Sequence, residues 1–187
     1  MNELTVVTVC SRIPNENYYC LNQFATSLRD SKYLVLSEGN MNDSYDGLGT
    51  KPKWLFKAIK AEMIKSEFSI FCDCWDLVFS ISPQHLFTSY LQWFPESPIV
   101  ISSEKNCFPD DLKKEYNELA EKNLIKHGYK YLNSGMIVGK TSEILKLLEA
   151  MELEKVPNDY RGEDGKMVHI NDQFLYQQIF LKQPVKM

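Results

Sequence analysis

Residues 68–79 read Phe-Ser-Ile-Phe-Cys-Asp-Cys-Trp-Asp-Leu-Val-Phe, and this stretch restricts the fold more than any other. Phe68 to Cys72 has the length and composition of a buried strand. It is followed at once by two carboxylates, Asp73 and Asp76. Acids do not enter a sheet core without a partner, because burial strips their hydration. At the carboxyl end of a parallel strand they fall on the rim where open α/β sheets bind ligands. Two carboxylates there suit a hard divalent cation that also holds phosphate oxygens. The plainer reading is that both acids cap the turn or helix that follows.

Strand-like and helix-like segments alternate around this stretch. Leu4–Cys10, Tyr33–Leu36 and Ile99–Ser103 read as strands, and Tyr131–Gly139 as a loop leading into a strand at Met136–Val138. Helical spacing of apolar residues covers Glu16–Arg29, Lys53–Lys65 (Leu55, Ile59, Met63), Pro83–Trp93, Ser142–Met151 and His169–Leu181. Asp110–Lys122 reads as a polar helix or lid, and Ser37–Thr50 and Val156–Lys166 as polar loops. The alternation predicts an α/β fold of Rossmann type, with a mostly parallel central sheet and flanking helices.

A chain of 187 residues suffices for one domain, taken here as residues 1–187. A net charge of −4 disfavours nucleic acid as a partner, because it provides no broad footprint for a phosphate backbone. The N-terminus reads as a first strand and lacks the features of a signal peptide. No stretch approaches the roughly 20 apolar residues that span a bilayer, so no membrane partner is expected. The five cysteines, two of them in predicted strands, read as reduced thiols of a cytoplasmic protein. Cys72 and Cys74 have no second pair with which to build a zinc site.

Several blocks, in order, resemble the glycosyltransferase domain of the procollagen lysyl hydroxylase and collagen galactosyltransferase group, a nucleotide-sugar fold of the GT-A type. They are Thr8-Val-Cys-Ser11, Lys51-Pro-Lys-Trp-Leu55, Asp73-Cys-Trp-Asp76, Ser82-Pro83, Ser103-Glu-Lys-Asn-Cys-Phe-Pro-Asp110, Tyr131-Leu-Asn-Ser-Gly135 and Asn171-Asp-Gln173. The resemblance implies a metal-dependent hexosyltransferase that moves a sugar from a UDP-sugar donor to a hydroxyl acceptor, with Mn2+ or Mg2+ as cofactor. Asp73 and Asp76 would hold the metal, and Asp73 would also reach the ribose or donor sugar. A divalent cation so held offsets the charge that grows on the leaving diphosphate. Trp75 would border or stack on the uracil, with packing at the strand end as the alternative. Lys51 would meet the diphosphate, unless it is simply solvated. Thr8 and Ser11 would meet the nucleotide, or serve strand and turn. Asn133, Ser134 and Gly135 would lie against the sugar, or form an ordinary turn. Asp172 is the candidate catalytic or positioning carboxylate, with an N-cap as its bland alternative. Glu104 would face the acceptor.

The resemblance has one gap. The family's third metal ligand is a His in a His-Gly-x-Gly-like stretch, and none of His85, His127 and His169 lies in one. His169 precedes Asp172 by three positions and is the candidate stand-in. The chain thus also admits a non-catalytic nucleotide-sugar-binding module, completed by a partner chain or as a homodimer. A metal-dependent hydrolase or nucleotidyl-transferring enzyme is a third reading, for which no nucleophile is evident.

Overall fold

The computed structural model describes residues 3–10, 18–123, 128–156, 159–161, 167–169 and 171–182. Five strands form the central sheet: β1 (Leu4–Val9), β2 (Tyr33–Leu36), β3 (Phe68–Cys72), β4 (Ile99–Glu104) and β5 (Tyr131–Lys140), in the order β2-β1-β3-β5-β4. β1 pairs parallel with β2 and β3, whereas β5 runs antiparallel to both β3 and β4. The mixed α/β sheet is therefore parallel at its core with one reversed strand, consistent with the expected GT-A-like domain. A separate ribbon pairs β6 (Asp159–Arg161), inside the expected loop Val156–Lys166, with β7 (Met167–His169), which takes in His169, expected to open the last helix.

Side chains alternate across the strands, so each buried strand feeds two cores. Phe68, Ile70 and Cys72 of β3 join Val6 and Val138 beneath α1 (Tyr18–Ser27) and α4 (Pro83–Trp93), against Phe24, Leu28, Phe87 and Tyr90. Phe71 joins Val7, Val9 and Ile137 on the other face. There it meets Trp54, Leu55 and Ala58 of α3 (Thr50–Lys60), Ile144 and Leu148 of α6 (Thr141–Ala150), and Tyr176 of α7 (Asp172–Lys182). Ser69 is buried but not orphaned, because its hydroxyl shares a 2.7 Å hydrogen bond with that of Thr141.

Three elements differ from the sequence expectation in ways that matter for the site. α3 begins at Thr50, so Lys51 belongs to its first turn, with Pro52 beside it where a missing N–H costs nothing. The helix also ends early: Glu62 turns to φ +54°, and Met63 is left exposed instead of joining the core. β5 is longer than expected. Met136 pairs with Cys72, the last residue of β3, while Leu132 and Tyr131 pair with Ser103 and Glu104 of β4. Residues 131–135 therefore overhang the carboxyl end of β3, and this overhang forms one wall of a cleft. The expected polar helix over 110–122 is a short 3-10 turn, Asp110–Leu112, followed by α5 (Lys113–Lys122).

Candidate active site

The cleft has a volume of about 390 Å³ and opens where β3 ends. Asp73 leaves β3 with its amide still donating to the Gly135 carbonyl at 3.0 Å, so the first acid is fixed to the overhanging wall. Asp76 follows after one short turn and is exposed on the same cleft. Trp75 lines it between them and is partly buried against the core beneath α1 and α4.

Lys51 reaches in from α3. Its Nζ lies 2.6 Å from Asp73 Oδ1 and 3.4 Å from Asp172 Oδ2. Burial alone would lower the Lys51 pKa, but Asp172 and Asp73 outweigh it and hold the ammonium above its ordinary range. Asp172 is only 3% exposed, and its Oδ2 has no hydrogen-bond partner. Its Oδ1 accepts from the amide of the next residue, Gln173, at 2.9 Å, while its Oδ2 lies toward Lys51. The Asn171 side chain accepts from that same amide.

Gln173 ties the walls together. Its Nε2 donates to Glu104 Oε1 at 2.6 Å and to the Phe108 carbonyl at 2.5 Å, while its Oε1 accepts from the Ser134 amide at 3.2 Å. Glu104, expected to face the acceptor, is thereby engaged in holding α7 to β4. Gln177 adds bonds to the Phe108 and Leu132 carbonyls at 3.2 Å. The result is a fixed loop that carries the exposed Phe108 ring to the cleft lip.

The structure brings Lys51, Asp73, Trp75, Asp76, Ser134 and Asp172 to this one cleft. Gly135 is adjacent: a Cβ there would lie 3.5 Å from Asp73 Oδ2. Thr8 differs from its expectation, because it is buried and its hydroxyl donates to the Cys72 carbonyl at 2.6 Å, which commits it to the sheet. The side chain of Asn133 is likewise committed. Its Oδ1 accepts from the Gly135 amide at 2.8 Å and from the Ser102 hydroxyl at 3.3 Å, so through that oxygen it shapes the wall. Ser11 and His127 lie outside the described residues. His169 is in β7, and His85 is exposed in the first turn of α4, which Ser82 caps.

Tyr45 and Leu48 line the cleft without having been singled out from the sequence, and Gln173, named only within the Asn171-Asp-Gln173 block, had no role assigned to it. Tyr45 stands edge-on to the buried Trp54 ring, 5.9 Å between centroids, and that contact positions it. An aromatic and a Leu inside an otherwise polar loop were the signal available.

Among the described residues, no group of three His, Cys, Asp or Glu side chains is placed to hold a metal ion. The donor chemistry nonetheless fits a hard cation. Burial raises the Asp73 carboxyl above its ordinary range; Lys51 opposes this, and Asp172 and Asp76 add to it. Three carboxylates, Asp73, Asp76 and Asp172, line the cleft, and Lys51 pairs with two of them, Asp73 and Asp172. Asp73 and Asp76 would supply two oxygen ligands, and ligand phosphates and water the rest, as hard divalent ions accept.

Comparison with known proteins agrees with this architecture. The family model described as PLOD GT domain matches residues 1–187. The chain is 30% identical over 125 residues to the uncharacterized protein R699 of Acanthamoeba polyphaga mimivirus, a match that covers 63% of this chain and 26% of that protein. It is 28% identical over 166 residues to a multifunctional procollagen lysine hydroxylase and glycosyltransferase of Caenorhabditis elegans, covering 84% of this chain and 21% of that protein. The chain therefore spans about a fifth to a quarter of the length of these curated relatives.

Proposed function

The chain belongs to the PLOD GT domain family, a family of glycosyltransferase domains, and on that footing we propose that it transfers a hexose from a UDP-sugar to a hydroxyl acceptor with the help of a divalent cation. The observation that carries the reading is the convergence of Lys51, Asp73, Asp76 and Asp172 on one cleft at the carboxyl end of β3.

Asp76 and Asp73 would hold Mn2+ or Mg2+. The bound cation would act as a Lewis acid on the diphosphate and so favour its departure. The Lys51 ammonium provides a second positive charge for the same oxygens. Trp75 and Tyr45 present aromatic faces for the uracil. Ser134 and Gly135 bring backbone close to the donor sugar, and Asn133 keeps that backbone in place. Asp172, whose Oδ2 has no hydrogen-bond partner, would accept from a hydroxyl of the donor sugar. Phe108, at the lip, excludes water from one side of the acceptor path.

A second reading, a nucleotide-sugar-binding module without turnover, is favoured by the Lys51–Asp73 pair, which gives the cleft a cation of its own. The sheet leaves β2 and β4 as its outermost strands, where a second copy or another chain could add. A donor screen by nucleotide release with Mn2+ and with Mg2+ separates the two readings. The first predicts UDP release that rises with the right acceptor; the second predicts UDP binding and no release. The relative named for procollagen lysine hydroxylation makes a hydroxylysine-containing peptide the first acceptor to try. Failure to bind UDP at all would overturn both readings.

A further inference from the structure

Lys51 occupies a position that the proposed function needs for other partners. Its ammonium sits 2.6 Å from Asp73, a carboxylate assigned to the divalent cation, and 3.4 Å from Asp172, the carboxylate assigned to the donor sugar. An ammonium and a divalent cation on the same carboxylate repel each other strongly in so enclosed a place, where the Lys51 side chain is 13% exposed. Lysine, however, is a point charge on a flexible stem, and here the stem begins in the first turn of α3 at the cleft wall. Diphosphate oxygens entering the cleft offer the ammonium a partner with more negative charge than one carboxylate carries. Asp172 Oδ1 is held by the Gln173 amide, but its Oδ2 has no hydrogen-bond partner and meets only the ammonium, at 3.4 Å.

We propose that Lys51 is a displaceable countercharge that couples the two binding events. A nucleoside diphosphate draws the ammonium away from Asp73 and Asp172, and so opens Asp73 to the divalent cation and Asp172 to a hydroxyl of the donor sugar. In the free protein the same ammonium bridges Asp73 and Asp172, offsets their mutual repulsion and competes with stray cations. This inference rests on the reading of Asp73 as a metal ligand.

The test is Mn2+ binding to the full chain without nucleotide, followed by electron paramagnetic resonance of free Mn2+ or by calorimetry. Removing the competing charge with Lys51→Met should tighten Mn2+ binding by about tenfold, within the usual range of coupling between sites. Lys51→Arg keeps the charge and should stay within about threefold of the wild type on the same scale. Equal Mn2+ affinity in wild type and Lys51→Met, or weaker affinity in the variant, overturns the countercharge and leaves the metal reading standing. No Mn2+ binding by either protein, with or without UDP, overturns both. A measurement on the unaltered chain needs no variant to fold: the Lys51 13Cε resonance should shift when UDP is added without metal. A resonance that does not move overturns the displacement.

Discussion

Asp73 and Gly135 face each other where β3 meets β5: the Asp73 amide donates to the Gly135 carbonyl at 3.0 Å, and a Cβ on Gly135 would come within 3.5 Å of Asp73 Oδ2. The same Cβ would lie 2.8 Å from Asn133 Oδ1, which is itself held by the Gly135 amide. Gly135→Ala therefore has to push Asn133 off its bond and crowd the acid beside it. The cost falls on the wall of the cleft, at about 1–2 kcal/mol. UDP affinity should drop about tenfold, while the melting temperature changes by only a few degrees. Calorimetry and thermal melting on one preparation check both.

Asp76→Asn separates folding from function. Asp76 is exposed and no core contact depends on it, so stability should stay within about 0.5 kcal/mol of the wild type. Loss of a direct metal ligand should weaken Mn2+ binding at least about 10–100-fold, since even removal of groups that only orient a ligand costs that much. Mn2+ titration monitored by electron paramagnetic resonance, with a thermal melt as the folding control, reads both effects.

The pH dependence follows from Asp73. Burial raises its carboxyl pKa above the ordinary 3.8, with Lys51 opposing and Asp172 and Asp76 adding to the rise. A raised carboxyl pKa means that the folded chain holds the proton more tightly than the unfolded chain does. Its stabilising contribution is complete below the unfolded value and disappears as pH rises through the folded one. At neutral pH the ionised Asp73 thus weighs against the metal-free fold, and a bound divalent cation relieves it. Mn2+ should raise the melting temperature at neutral pH, and the increment should shrink on acidification, beginning at a pH above the ordinary carboxylate range. Asp73→Asn should abolish the increment at every pH. Thermal melts with and without Mn2+ across pH 4–8 check the sign; an increment that grows as pH falls would contradict it.

The sequence was most legible where local signals and tertiary demands coincide. Phe68–Cys72 is apolar except for Ser69 because both its faces are covered, and the strand has the bounds its composition predicts. Ser82-Pro83 marks the start of α4 because the Ser hydroxyl accepts from His85 N–H and the Pro needs no bond there. The acids of the cleft were legible too, since a charge at the end of a buried strand has few places to go. The overhang of β5 was not. Asn133, Ser134 and Gly135 carry turn chemistry. They are strand because Tyr131 and Leu132 before them and Ile137 after them pair with β4, nearly thirty residues away in the chain, across a shift in register. The commitments of Thr8 and Asn133 were hidden for a related reason: a hydroxyl or amide reads as a ligand group until the neighbouring carbonyl or amide that engages it is known. Gln173 was named in a motif but given no role, because its three-way bonding exists only once β4, β5 and α7 have met.

At the other end of β5, Gly139 is a packing requirement with no part in the cleft. It pairs with Ser69 and with Ile99, at the far end of β3 from Asp73. A Cβ there would fall 2.4 Å from the Pro98 carbonyl oxygen and 2.9 Å from Ile99 Cα. Both obstacles are backbone, so neither can swing aside, and the neighbouring Lys140 amide already bonds the Pro98 carbonyl at 3.0 Å. Gly139→Ala must separate β4 from β5 locally. The expected cost is about 3 kcal/mol, or about 6–12 °C in Tm for a chain of this size. Because the strain lies away from Asp73, Asp76 and Asp172, the UDP affinity of the folded fraction should remain within about twofold of the wild type at a temperature below the transition. Gly135→Ala should show the opposite pattern. If Gly139→Ala instead weakens UDP binding as much as Gly135→Ala does, the two ends of β5 are mechanically linked, and the assignment of Gly139 to packing alone fails.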